Sequence, residues 1–192
     1  MTNRLLQLLQ HEPHLCPWWL AYSFDNRLRQ WVHRPERLLA GFVRPGRTVM
    51  DIGCGMGCFS VAMAELVGET GRVIAVDIQK KLLDITRRRA IRKGVASRIC
   101  FHRCTPDHIG ITEPLDFILA FWMVHEVRNQ EHFLHEAAGL LKPGGHFLIA
   151  EPKLHTTIPG FQKTVDLACA AGLNVHSNPP IRFSRAVVLE RP

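Results

Sequence analysis

From Arg47 onward the apolar positions follow two alternating rhythms. Short apolar runs with β-branched residues fall at 47–52, 72–77, 97–104, 115–121, 146–150, 173–176 and 183–189, and predict seven strands. Between them, apolar residues recur at helical spacing over 58–67, 80–93, 130–141 and 160–171. Gly68, Gly94 and Gly172 stop three of these helices, and Lys142-Pro143-Gly144-Gly145 stops the fourth. The 80–93 helix is basic and amphipathic, with Leu82, Leu83, Ile85 and Ile91 on its inner face. Ser177-Asn178-Pro179-Pro180 joins the last two strands. Strands that alternate with helices predict an α/β fold with a mostly parallel sheet covered on both faces. In such sheets ligands bind beyond the carboxyl ends of the strands, where strand order reverses.

The first 45 residues break this rhythm. They hold three of the four tryptophans and the only tyrosine. They predict a short helical cap over residues 1–45, set against a core over 46–192, in one domain overall. Hydrophobic residues make up 46% and charged residues 21% of 192 residues, which is a globular balance and excludes disorder and coiled coil. No apolar run approaches the ~20 residues of a membrane helix. The N-terminus alternates polar and apolar residues too quickly for a signal peptide, so a cytoplasmic protein is expected.

Charge adds one local feature. Of a net +7, most comes from Lys80, Lys81, Arg87, Arg88, Arg89, Arg92, Lys93 and Arg98. These read as solvated helix faces or as attraction to an anionic partner. No aromatic residue interleaves them, so the run is a poor stacking platform and nucleic acid is disfavoured. Six cysteines form no CxxC pair, and no histidine pair at metal spacing has a third ligand nearby, so no metal is expected.

Chemistry enters at Val49-Met50-Asp51-Ile52-Gly53-Cys54-Gly55-Met56-Gly57, where a strand runs into three glycines at alternate positions and a helix follows. Glycines there permit a tight turn and close approach of a ligand to the backbone. A dinucleotide loop would place its third glycine at Cys58, and a phosphate loop would end in Gly-Lys-Ser/Thr, so both phosphate readings are disfavoured. Asp77 ends the second strand 20 residues after Gly57, where a carboxylate can accept both hydroxyls of a ribose.

Together these residues resemble the class I S-adenosylmethionine-dependent methyltransferases, over about residues 47–192. The segment Trp122-Met123-Val124-His125-Glu126-Val127, the turn Leu140-Leu141-Lys142-Pro143-Gly144-Gly145 and Glu151-Pro152 look like those of the ubiquinone/menaquinone-type small-molecule enzymes. The resemblance implies a Rossmann-like sheet and S-adenosylmethionine as cofactor. It implies that Asp51, Gly53, Cys54, Gly55 and Gly57 hold the methionyl part and that Asp77 holds the ribose. Ile78 would pack on the adenine, and Phe121 would lie near the transferred methyl. The family commonly has Gly-Asp after the third strand; Cys104-Thr105 stands there, with Thr105 or Asp107 left to meet the adenine amino group. Tyr22 in Tyr22-Ser23-Phe24-Asp25-Asn26 shares a spacing with a segment that folds over the cofactor in the quinone-type enzymes.

Methyl transfer needs alignment above all, and a base only if the nucleophile arrives protonated. His125 is the first candidate base, against a helix-entry role; His14, Tyr22 and Glu151 stand behind it. Trp18, Trp19 and Trp122 line an apolar pocket or belong to the core. The Asn/Asp-Pro-Pro-Tyr/Phe segment of amino-group enzymes is missing after the fourth strand, and Asn178-Pro179-Pro180 lies elsewhere. The expected function is methylation of a small, apolar or aromatic metabolite. The alternatives are an RNA methyltransferase and a non-catalytic cofactor-binding partner protein.

Overall fold

A computed structural model describes residues 34–192. The order is α1 (Pro35–Leu39), β1 (Thr48–Ile52), α2 (Cys58–Leu66), β2 (Arg72–Asp77), α3 (Lys80–Arg92), β3 (Ile99–Arg103), β4 (Leu115–Phe121), α4 (Gln130–Leu140), β5 (Leu141–Pro152), α5 (Ile158–Ala170), β6 (Asn174–Ser177) and β7 (Ser184–Glu190). Single 3-10 turns occupy Ala96–Arg98 and Val124–Glu126.

The described strands form one seven-stranded sheet in the order β3-β2-β1-β4-β5-β7-β6. The first five are parallel to their neighbours; β7 runs antiparallel to β5 and to β6. The mostly parallel, doubly covered sheet expected from the sequence is therefore present. Alternation along each strand splits its side chains between two cores. Val49, Phe117 and Leu148 pack under α2 and α3, whereas Met50, Ile118 and Ile149 pack under α4 and α5. Leu39 and Val43 of the segment around α1 join the first core, and Phe42 stacks on Phe117 with ring centroids 5.3 Å apart.

Three local expectations change. Ile91 is 61% exposed, because the inward stripe of α3 runs through Leu82, Leu83, Thr86 and Ala90. Thr86 takes a core position by donating its hydroxyl to the carbonyl of Gly55. The third strand begins later than 97, after the 3-10 turn. The fifth begins earlier than 146: Leu141 already pairs with Leu115, and the register then jumps so that His146 pairs with Phe117. Lys142-Pro143-Gly144-Gly145 thus bulges out of β5 as well as ending α4.

Sheet order reverses between β1 and β4, and the carboxyl ends of β1 to β5 all open on one side. Among the described residues no helix is long and apolar enough to cross a membrane.

Candidate active site

A cavity of about 1240 Å³ lies at that reversal point. Its wall is built from the segments that follow β1 (Asp51–Met56), β2 (Asp77–Gln79), β3 (Cys104–Ile109), β4 (Phe121–Asn129, Val124 excepted) and β5 (Pro152–His155). Asp51, Gly53, Cys54, Gly55, Asp77, Ile78, Cys104, Thr105, Phe121 and His125 all line it. Gly57 does not; it is the N-cap of α2 with φ 79°. Tyr22, His14, Trp18 and Trp19 lie outside the described residues.

The floor of the cavity is the glycine turn. Gly55 has φ +56°, a conformation that costs a side-chain-bearing residue energy, and nothing lies within 4 Å of where its Cβ would stand. Beneath the turn, Asp51 is buried and accepts the hydroxyl of Ser60 at 2.5 Å. This bond fixes the carboxylate at the head of the turn.

Asp77 stands on the next strand end and is 6% exposed. Its Oδ2 accepts the amide of Gly55 at 3.0 Å and its Oδ1 the amide of Gln79 at 2.8 Å. Burial pushes this carboxyl up to about 6, against the pull of the amides of Gln79, Gly55 and Ile78. A carboxylate kept partly dry, with open space above an adjoining turn, fits a nucleoside bearing vicinal hydroxyls.

The loop after β3 departs from the family pattern in a specific way. The hydroxyl of Thr105 accepts the amide of His108 at 3.1 Å and so closes its own turn. Glu136 of α4 accepts the amides of Ile109 and Gly110, each at 3.0 Å, and holds the loop to the helix. Cys104 is half-buried, and burial pushes its thiol up to about 11, so it is neutral and unreactive at ordinary pH.

The segment after β4 is the most constrained. Trp122 has φ 63°, a backbone outlier for a bulky residue. It is held there by its amide donating to Ala150 at 2.7 Å and its indole Nε1 donating to Ser184 at 2.8 Å. Phe121 stacks between Phe59 at 4.6 Å and Trp122 at 5.5 Å, measured between ring centroids. All three rings line the cavity, which gives it an aromatic side.

His125 follows, and its Nδ1 lies 2.5 Å from Oε2 of Glu151. Glu151 is 1% exposed. Its carboxylate also accepts the amides of Met123, Val124 and His125 and the hydroxyl of Thr156, so it is oriented from five sides. A carboxylate against Nδ1 requires the proton there, which makes Nε2 the acceptor of the neutral ring, with Oε1 of Glu126 4.0 Å from it. Burial lowers the pKa of His125, but the hydrogen bond and charge of Glu151, with Glu126 nearby, outweigh it and raise the pKa above its ordinary value.

Sequence reasoning had not singled out Ser60, and it held Glu151 only in reserve. Nor had it found His108, His132 and Glu136, whose ligand atoms lie within 4.8 Å of one another at the cavity wall. The i, i+4 spacing of His132 and Glu136 on one helix was the available clue.

Comparison with known proteins bears on the family and the fold. A family model described as a methyltransferase domain matches residues 44–177. A ubiquinone/menaquinone biosynthesis C-methyltransferase, UbiE, of Cellvibrio japonicus is 34% identical over 113 residues, which is 58% of this chain and 45% of that one. The chain thus spans less than half the length of the curated relatives it matches. Among solved structures, a SAM dependent methyltransferase from Aquifex aeolicus superposes with a TM-score of 0.80 at 21% identity, covering 91% of this chain and 98% of that one. The [4+2]-cyclase SpnF superposes with a TM-score of 0.72 at 14% identity over 88% and 84%. Its presence is a reminder that this fold hosts more than one chemistry. With the family model covering most of its length, the chain belongs to the class I S-adenosylmethionine-dependent methyltransferase family.

Proposed function

We propose that this chain transfers a methyl group from S-adenosylmethionine to a small, apolar or aromatic acceptor, and that His125, oriented by Glu151, is the base for nucleophiles that arrive protonated. One observation supports this above others. The same cavity holds the hydrogen-bonded Gly55–Asp77 pair, an aromatic wall and a histidine whose Nδ1 is held by a buried carboxylate.

When bound, the cofactor supplies an electrophilic methyl on a sulfonium whose departure leaves a neutral thioether. Asp77 would accept the ribose hydroxyls, and the backbone of Gly53–Gly55 would hold the methionyl part. Ile78 and Cys104 would hold the adenine, and Asp107 rather than the self-engaged Thr105 would be left for its amino group. Phe59, Phe121 and Trp122 exclude water around the acceptor and hold it in line. Nε2 of His125 takes the acceptor's proton, and Glu151 with Glu126 stabilises the imidazolium that results. Of the 1–45 segment expected as a cap, the described residues 34–45 line no part of this cavity; Leu39 and Val43 pack into the first core.

The basic run supports an RNA substrate less well. Arg87 lies over the ring of Phe101 at 4.3 Å, and Arg89 and Arg98 donate to the carbonyls of Met56 and Ala64. These guanidinium groups are occupied within the fold.

The test is calorimetric titration with S-adenosylmethionine and S-adenosylhomocysteine, with NADH as control. Labelled methyl transfer to hydroxylated and aminated aromatics, and to RNA, then follows. Micromolar binding of the first two ligands and transfer to an aromatic are expected. Absence of both kinds of binding, or transfer to RNA alone, would overturn the reading.

A further inference from the structure

We propose that His108, His132 and Glu136 form a binding site for one divalent d-block cation of the zinc class, joining the loop after β3 to helix α4. Nδ1 of His108 and Nε2 of His132 face each other at 3.3 Å. Two nitrogens bound at about 2.0–2.1 Å to one tetrahedral zinc stand about 3.3 Å apart, by the geometry of the tetrahedron. The two rings meet edge to face, with centroids 5.1 Å apart and planes at 81°.

Oε2 of Glu136 completes a triangle, 4.0 Å from His108 Nδ1 and 3.9 Å from His132 Nε2. That is roughly 0.6–0.7 Å beyond the same tetrahedral edge. The adjustment falls on the imidazoles, which are 66% and 46% exposed, while Glu136 is held by two backbone amides and is 20% exposed. Each Glu136 oxygen accepts one amide and keeps a second lone pair for a metal. Two imidazoles and one carboxylate are a donor set that suits zinc and its neighbours better than calcium or magnesium. Three protein ligands leave a fourth position for water or another donor.

The second cluster of this kind, His146, His176 and Glu190, is arranged differently. There the hydrogen bond, at 3.0 Å, joins His176 Nδ1 to the carboxylate of Glu190, whereas at the first site the 3.3 Å hydrogen-bond contact joins the two imidazoles and the carboxylate stands 3.9–4.0 Å away. It serves as an internal control. A bound ion at the first site would pin residues 104–110 to α4 and so set the shape of one cavity wall. The site rests on ligand geometry and stands whether or not the cavity accepts S-adenosylmethionine.

The experiment uses the full chain without a polyhistidine tag, washed with chelator. Zn²⁺ is titrated by calorimetry and Co²⁺ by visible absorption. One ion per chain is expected, with ligand-field bands of a nitrogen and oxygen set. His132→Ala and His108→Ala should each weaken Zn²⁺ binding at least tenfold, and His176→Ala should leave it unchanged. Should His132→Ala fail to fold, His108→Ala tests the site from the loop. No Zn²⁺ binding by the wild type would overturn the proposal. So would unchanged affinity in the folded variants, loss with His176→Ala, or an intense thiolate charge-transfer band in the Co²⁺ spectrum.

Discussion

The amide of Gly55 donates to Oδ2 of Asp77 over 3.0 Å, across 22 residues of sequence. The glycine turn after β1 and the acid at the end of β2 are therefore one hydrogen-bonded unit. Asp77→Ala removes both the ribose acceptor and the brace of the turn. Affinity for S-adenosylhomocysteine should fall at least tenfold, from loss of charge-assisted hydrogen bonds worth about 1.5–3 kcal/mol. Calorimetry on the folded variant checks this, and unchanged affinity would sink the ribose assignment.

The same carboxyl gives the binding its pH dependence. Burial raises Asp77 to about 6 from an ordinary 3.8. The form that accepts hydroxyl donors at both oxygens is the ionised one, and it is lost as pH falls through about 6. S-Adenosylhomocysteine affinity should be flat above pH 7 and weaken steadily towards pH 5. Asp77→Asn should bind more weakly and lose that slope. A slope that survives the substitution would assign it to another group.

How far this unit was legible in advance follows from where its parts sit. Gly53, Gly55, Asp77, Ile78, Phe121 and His125 all directly end or follow strands, and strand ends define the crevice of a parallel sheet. Finding the strands was enough to find them. The partners that fix those residues come from elsewhere in the chain. Glu151 is 26 residues from His125, and Ser60 reaches Asp51 from the next helix. Such pairings depend on which strands are neighbours and on their register, which local pattern does not encode. The left-handed backbone of Trp122 is imposed by Ala150 and Ser184 on β5 and β7. The exposure of Ile91 depended on Thr86 taking an inward place, a polar residue made core by its bond to Gly55.

Two glycines separate fold from binding. At Gly55 a Cβ would meet no protein atom within 4 Å, while at Gly57, with φ +79°, it would collide with Thr86. Gly55→Ala should cost only the left-handed backbone penalty, about 1–2 kcal/mol, while its methyl enters the cradle. Gly57→Ala adds that collision and disturbs the Thr86–Gly55 bond. Gly55→Ala should therefore keep most of the thermal midpoint and lose S-adenosylhomocysteine binding, and Gly57→Ala should lose far more of the midpoint. Wild-type affinity in Gly55→Ala would mean that the ligand does not lie against this turn.

The His125–Glu151 pair predicts a kinetic split. If Nε2 takes a proton from the acceptor, the active form of His125 is the neutral one, and activity is lost as pH falls through its pKa. That pKa is raised above the ordinary 6.5, because Glu151 and Glu126 outweigh the effect of burial. The profile of kcat/KM should accordingly rise to a plateau with a midpoint above 6.5. Glu151→Gln removes the charge that raises the pKa and the acceptor that fixes the Nδ1 proton. Its midpoint should move to lower pH and its plateau should drop, with S-adenosylhomocysteine affinity near wild type. His125→Ala should lower kcat by roughly 10²–10⁴ with a protonated nucleophile. A purely structural role for the pair would lower the thermal midpoint in both variants and leave the midpoint of the Glu151→Gln pH profile where the wild type has it.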